Sequence, residues 1–173
     1  MPFRRSLQLC VRHVLREETA RLRELRLASL AADPEAFGGT YERDAARPAA
    51  WWERWSAESD AGSEQRTFVL ADGDERWFGL ALVRRDRDAP GRAVLYGMWV
   101  APQVRGRRGA LALTDACACW AKARGLHELT LTVVVGNEPA LRAYRAAGFV
   151  VRGETTWSEA GRTLDELIMS RPV

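Results

Sequence analysis

The sequence predicts one α/β domain, built on a mostly antiparallel sheet with a parallel element in its second half. Two apolar runs, "TFVLAD" (67–72) and "WFGLALVRR" (77–85), flank Gly73-Asp74, and Pro90-Gly91 precedes a third, "AVLYGMWV" (93–100), so three consecutive strands form a meander. Residues 110–124, "ALALTDACACWAKAR", are rich in helix formers and lie between that third strand and the β-branched run "LTLTVVV" (129–135). A strand, helix, strand crossover of this kind makes its two strands parallel neighbours. A length of 173 residues suits a single domain, taken as residues 1–173.

The elements follow in order. Residues 6–14 alternate imperfectly between apolar and polar and read as a first strand. Over residues 17–32, Leu22, Leu25, Leu27, Leu30 and Ala31 are expected on one helical face, with Glu17 and Glu18 at the positive end of the helix dipole. Asp33-Pro34 stops that helix, because a residue before proline avoids the helical region. "PEAFGGTYERDAARP" reads as loop up to Pro48, where "AAWWERWSAES" starts a second helix. The helix at 110–124 ends at Gly125, with Lys122 and Arg124 in its last turn. "NEPALRAYRAAGF" is a further helix with Pro139 early and Gly148 as its C-terminal cap, and residues 149–151 begin another strand. "LDELIMS" (164–170) closes the sheet after a hairpin at 158–161.

Composition narrows the function. With 47% hydrophobic and 28% charged residues, the chain has the balance of a soluble globular protein and not of a disordered or membrane one. A net charge of +3 argues against a nucleic-acid partner unless the positive groups gather on one face. No apolar run approaches the roughly 20 residues of a membrane span. "MPFRRSLQLCVRHVLREE" starts basic but is broken by Gln8 and lacks a small-residue cleavage site, so a cytoplasmic protein is expected. Cys10, Cys117, Cys119, His13 and His127 show no metal-ligand spacing, and buried free thiols with no metal are expected.

"VRGRRGA" (104–110) stands where the crossover helix begins. The first N–H groups of a helix lack intrahelical partners and the dipole is positive there, so an anion is stabilised. Gly106 and Gly109 let the backbone turn tightly and approach phosphate, and Arg105, Arg107 and Arg108 offer charge-assisted bonds. GxxxxGK[ST] and GxGxxG are absent, which removes the P-loop and dinucleotide-binding readings. By itself the segment equally suits a solvated basic turn; its place between strand and helix favours phosphate.

"VAPQVRGRRGALAL", followed by "VVVGNEPALRAYRAAGF", resembles the GCN5-related N-acetyltransferases, whose hallmark is Gln/Arg-x-x-Gly-x-Gly/Ala at the start of a helix. "LRLASLAADPEAFG" and "LYGMWVAP" are similar to members of that family too, so the resemblance covers most of the chain. It implies a central sheet of six to seven strands flanked by about four helices, with the fourth and fifth strands splayed. It also implies acetyl-CoA as acyl donor and no metal. Backbone N–H groups of Gln103, Val104, Arg105, Gly106, Arg107, Arg108, Gly109 and Ala110 would hold the pyrophosphate. Gln103, Arg105 and Gly106 match the family; Arg108 stands where glycine or alanine is usual. The pantetheine arm would enter between the splayed strands, with Trp99 and Val100 beside the thioester, although "GMWV" alone reads as a core strand. Asn137 would bond the cofactor arm and Tyr144 would protonate the departing thiolate, while the residues by themselves also suit a helix cap and a packed aromatic ring.

The implied reaction is direct acetyl transfer to a primary amine through a tetrahedral intermediate, its oxyanion held by a backbone N–H near Val100. Cys117 and Cys119, inside the crossover helix, are not expected to act as nucleophiles. The amine must lose a proton before attack; Glu42, Asp44 and Glu53 are candidates to receive it, and each also reads as a solvated carboxylate. Tyr41, Glu42, Trp51 and Trp52 are expected to border the acceptor, while Trp51, Trp52 and Trp55 equally suit packing on the core. A small-molecule amine is expected ahead of a protein N-terminus or lysine, in a monomer or homodimer. The alternative is a non-catalytic acyl-CoA-binding module.

Overall fold

The computed structural model describes residues 8–73, 75–159 and 161–173. The basic start and residues 6 and 7 of the expected first strand, Asp74 of the first turn and Ala160 of the last hairpin lie outside the described residues. Seven strands build one sheet: β1 (Leu9–His13), β2 (Gln65–Asp72), β3 (Trp77–Arg85), β4 (Arg92–Val100), β5 (Glu128–Val134), β6 (Val150–Glu159) and β7 (Arg162–Pro172), in the order β1-β2-β3-β4-β5-β7-β6. β2, β3 and β4 form the expected antiparallel meander, β1 joins its β2 edge antiparallel, β4 and β5 pair in parallel across the crossover, and β7 returns antiparallel between β5 and β6.

Five helices cover the sheet: α1 (Thr19–Ala32), α2 (Tyr41–Ala45), α3 (Ala49–Ala61), α4 (Gly109–Lys122) and α5 (Glu138–Ala146). Leu22, Leu25, Leu27 and Leu30 of α1 are buried as expected, but Ala31 is exposed and Ser29 takes the fifth buried position. Ala31 falls in the last turn of α1, one residue before its end at Ala32. The stretch expected to be loop contains a 3-10 turn at Pro34–Ala36 and the one-turn helix α2, which Thr40 caps by accepting from the Arg43 N–H at 3.3 Å. A single turn is too short to show a hydrophobic period.

Alternation along β2 sorts the helices onto two faces. Thr67 points to one, where its hydroxyl accepts from the Trp55 indole of α3 at 2.8 Å. Leu70 points to the other, against Gly109 at the start of α4. The core between these layers includes Leu22, Val69, Leu80, Leu113, Leu131 and Met169, all at most 1% exposed. Among the described residues no helix is long and apolar enough to cross a membrane.

Candidate active site

β4 and β5 pair only at their first three residues, Arg92↔Glu128, Ala93↔Leu129 and Val94↔Thr130. β5 stays paired with β7 along its whole length, and β4 follows β3 as far as Val100. A gap therefore opens between the two parallel strands from Leu95 and Leu131 onward. β4 also bulges: Leu80 faces Trp99 and Leu82 faces Tyr96, so Gly97 and Met98 share one partner, and Gly97 sits at φ 60°. The Ala101 N–H donates to the Phe78 carbonyl at 2.7 Å. Because successive amides of a strand point to opposite sides, the Val100 N–H faces the gap.

The glycine-arginine loop leaves β4 through a 3-10 turn at Pro102–Val104, anchored by buried Val104. Gly106 has φ 78°, and Arg108, the N-cap of α4, has φ 62°. The left-handed region that glycine occupies freely is thus taken here by an arginine, which explains why glycine suits this position. Gly109 is needed for space, since a Cβ there would lie 2.5 Å from Leu70 Cδ2. The side chains of Gln103, Arg107 and Arg108 are exposed. Helical hydrogen bonding resumes with Ala112 donating to the Arg108 carbonyl, so the N–H groups of Gly109, Ala110 and Leu111 precede the first intrahelical donor.

Arg105 turns back over the mouth of the gap. Its Nε donates to the Val100 carbonyl at 2.9 Å and its Nη2 to Asp33 Oδ2 at 2.5 Å. The same oxygen accepts from the Trp99 indole N–H at 2.7 Å. Asp33, placed at the end of α1 by the proline that follows it, was expected only to stop a helix; it joins the glycine-arginine loop to the end of β4.

At the start of α5, Asn137 accepts from the Ala140 N–H at 3.3 Å through Oδ1 and caps the helix, which leaves its amide NH2 for another partner. Tyr144 is 8% exposed and meets Phe149 edge to face at 5.7 Å. Burial pushes its phenol well above the ordinary value, and the neighbouring Cys117 adds to the effect, so the hydroxyl keeps its proton. Cys117 is fully buried and its thiol is pushed far up for the same reason, which makes it inert as a nucleophile. Cys10 and Cys119 are exposed, contrary to the buried thiols expected.

A cleft of about 410 Å³ lies beside the end of α1, lined by Leu30, Ala31, Pro34, Thr40, Tyr41, Glu42 and Arg162. Of the residues expected at the acceptor, Tyr41 and Glu42 line it. Trp51 and Trp52 do not: Trp52 is 1% exposed, stacked on Trp55 at 5.7 Å, and Trp51 packs against both indoles. Asp44 is no solvated carboxylate, being 5% exposed and paired with Arg26 Nε at 3.0 Å. Glu53 is exposed on α3. Arg162 reaches from the β6–β7 hairpin to the Gly38 carbonyl at 3.0 Å and borders the cleft; nothing in its sequence neighbourhood marked it. Among the described residues no group of three or more His, Cys, Asp or Glu could hold a metal ion.

A family model described as acetyltransferase (GNAT) family matches residues 22–149, a span that includes the gap, the loop and Tyr144. The chain belongs to the GNAT acetyltransferase family. This GNAT protein is thereby an acyltransferase enzyme. Its fold is shared with a GCN5-related N-acetyltransferase from Kribbella flavida, 23% identical with a TM-score of 0.75 over 95% of this chain and 98% of that one. It is shared with the spermidine N-acetyltransferase of Vibrio cholerae in complex with CoA and spermine, 20% identical, TM-score 0.74, 95% of each chain covered. A phosphinothricin acetyltransferase from Sinorhizobium meliloti in complex with acetyl-CoA is 17% identical, with TM-score 0.73 over 95% of this chain and 88% of that one. No curated protein matches the GNAT chain in a sequence search.

Proposed function

We propose that the protein, as one domain over residues 1–173, transfers acetyl from acetyl-CoA directly to a primary amine of a small molecule. The observation that carries this reading is the gap between β4 and β5, which opens beside the loop that starts α4. A strand-like arm with its own amides fits such a gap, since Val100 turns a backbone donor toward it, and a diphosphate fits the donors of the α4 terminus. Structures of similar fold from V. cholerae and S. meliloti are complexes with CoA and acetyl-CoA.

Acetyl-CoA supplies the activated acetyl as a thioester. The residues of this chain do the rest. Within residues 103–110 the Val104, Arg105 and Arg107 N–H groups donate to the Ala101, Pro102 and Val104 carbonyls, so those of Gln103, Gly106, Arg108, Gly109 and Ala110 bind the diphosphate, and the side-chain amide of Asn137 bonds the arm. Trp99, held by Asp33, fixes the end of β4 so that the Val100 N–H donates to the carbonyl oxygen as negative charge develops there. Tyr144, kept protonated by burial, donates its proton to the departing sulfur. Tyr41 and Glu42 face the acceptor in the cleft, where a carboxylate and an aromatic ring suit an ammonium group.

Calorimetric titration with acetyl-CoA, with ATP, NAD and a short DNA duplex as controls, tests the cofactor. Micromolar binding of acetyl-CoA alone is expected, and absence of heat overturns the reading. An amine panel followed by release of free CoA then separates an enzyme from a silent acyl-CoA-binding module.

A further inference from the structure

Arg26 is used by nothing in the mechanism above, yet it stands beside the reacting end of the molecule. It projects from α1 with its side chain 13% exposed, and its Nε donates to Asp44 Oδ2 at 3.0 Å. The guanidinium carbon lies 5.0 Å from the centre of the Phe37 ring. The terminal nitrogens run past two glycines: a Cβ on Gly39 would lie 3.2 Å from Nη2, and a Cβ on Gly97, in the β4 bulge, 3.5 Å from Nη1. Among the described residues neither terminal nitrogen meets an acceptor.

A guanidinium carries five N–H donors, and leaving donors unpaired near the interior is costly. Asp44 takes only the Nε donor. The two terminal nitrogens, the fork that matches both oxygens of a carboxylate, remain for something else. At 39 and 97, where a Cβ would come within 3.2 Å and 3.5 Å of the terminal nitrogens, glycine places no side chain against the fork. The cleft starts one turn further along the same face of α1, at Leu30, and its Thr40 directly follows Gly39. On the other side, Gly97 stands three residues before Val100, where the acyl group is proposed to sit.

We infer that Arg26 is the recognition group for a carboxylate on the acceptor, so that the substrate is an amine that also bears a carboxylate, such as an amino acid. This rests on the acetyl-transfer reading above. The fork grips the carboxylate end-on, and the amine of the same molecule is thereby aimed at the thioester beside Val100. Asp44 orients the guanidinium from behind, through the one edge the ligand does not use. The charge on Asp44 offsets that of Arg26, so the preference comes from paired, charge-assisted hydrogen bonds and not from net charge.

The test is a set of matched acceptors, each amino acid beside its own amide: methionine and methioninamide, phenylalanine and phenylalaninamide, and 4-aminobutanoic acid and its amide. Spermidine serves as an amine without a carboxylate. In the wild type, kcat/KM for at least one acid is expected to exceed that of its amide by about 10- to 100-fold. In Arg26→Gln the ratio is expected to fall to near one. Because that variant leaves Asp44 buried without its partner, Arg26→Gln/Asp44→Asn, which removes both charges, is assayed beside it and is expected to give the same collapse. Calorimetry with acetyl-CoA on each protein separates the two claims. Acetyl-CoA binding with amides or spermidine preferred to every acid, or an acid preference that survives in both variants, overturns this inference and leaves acetyl transfer standing. Failure to bind acetyl-CoA overturns the acetyl-transfer reading and this inference with it.

Discussion

Asp33 and Arg105 form a 2.5 Å ion pair that ties the end of α1 to the loop before α4. The carboxylate oxygen involved also receives the Trp99 indole, and the guanidinium involved also holds the Val100 carbonyl. One pair thus links the loop before α4, the last residues of β4 and the cleft that Pro34 begins to line.

Replacing Asp33 by Ala removes the acceptor of an indole N–H in a residue only 8% exposed, a loss of about 1–3 kcal/mol. Asp33→Asn keeps an acceptor oxygen for Trp99 and is expected to cost less. Urea unfolding of both variants checks the order, and an alanine variant within about 0.5 kcal/mol of wild type would show that the indole bond contributes little.

Arg108→Gly is expected to stabilise the protein by about 1 kcal/mol, because the left-handed conformation at φ 62° strains any residue with a Cβ. Tm rises by roughly 2–4 °C for a chain of this size. Acetyl-CoA affinity is kept or tightened. A large loss of affinity in calorimetry would instead place the guanidinium on the cofactor.

Tyr144→Phe retains the buried ring and its contact with Phe149 and removes only the hydroxyl. Turnover is expected to fall about 10²- to 10⁴-fold with acetyl-CoA affinity nearly unchanged. Steady-state rates from pH 6 to 9 decide it, and unaltered turnover across that range removes Tyr144 from the proton-donor role.

Cys117 and Tyr144 both have native pKa values raised by burial. As pH climbs past about 8.5 for the thiol and about 10 for the phenol, the unfolded chain releases these protons while the native state retains them. Stability is therefore full below those values and declines above them. Tm measured from pH 7 to 10.5 should fall on the alkaline side, with Cys117→Ala flattening the earlier part of the fall. Equal slopes for the two proteins would refute the thiol's share.

The strands and long helices were legible because their signals are local: the turn at Gly73-Asp74, the proline and glycine that bracket α5, the β-branched run of β5. The loop at 104–110 was legible because glycine and arginine cluster there after a strand. Other features depend on groups distant in sequence. Arg26 is one of many arginines, and only the fold brings Gly39 and Gly97 against its terminal nitrogens. Asp33 meets Trp99 and Arg105 across 66 and 72 residues. Trp51 and Trp52 stayed open between two readings for the opposite reason, since a dense aromatic cluster looks the same in sequence whether it lines a cleft or packs beneath one.

The gap between β4 and β5 also has a mechanical meaning. The sheet is two ribbons, one of four strands and one of three, stitched together by three residue pairs at one end and connected along the chain only through α4. What holds the two ribbons together beyond those pairs is one shared core, in which Leu80 and Leu95 of the first meet Leu129, Leu131 and Met169 of the second, and a cleft whose lining joins the end of α1 to Arg162 of β7.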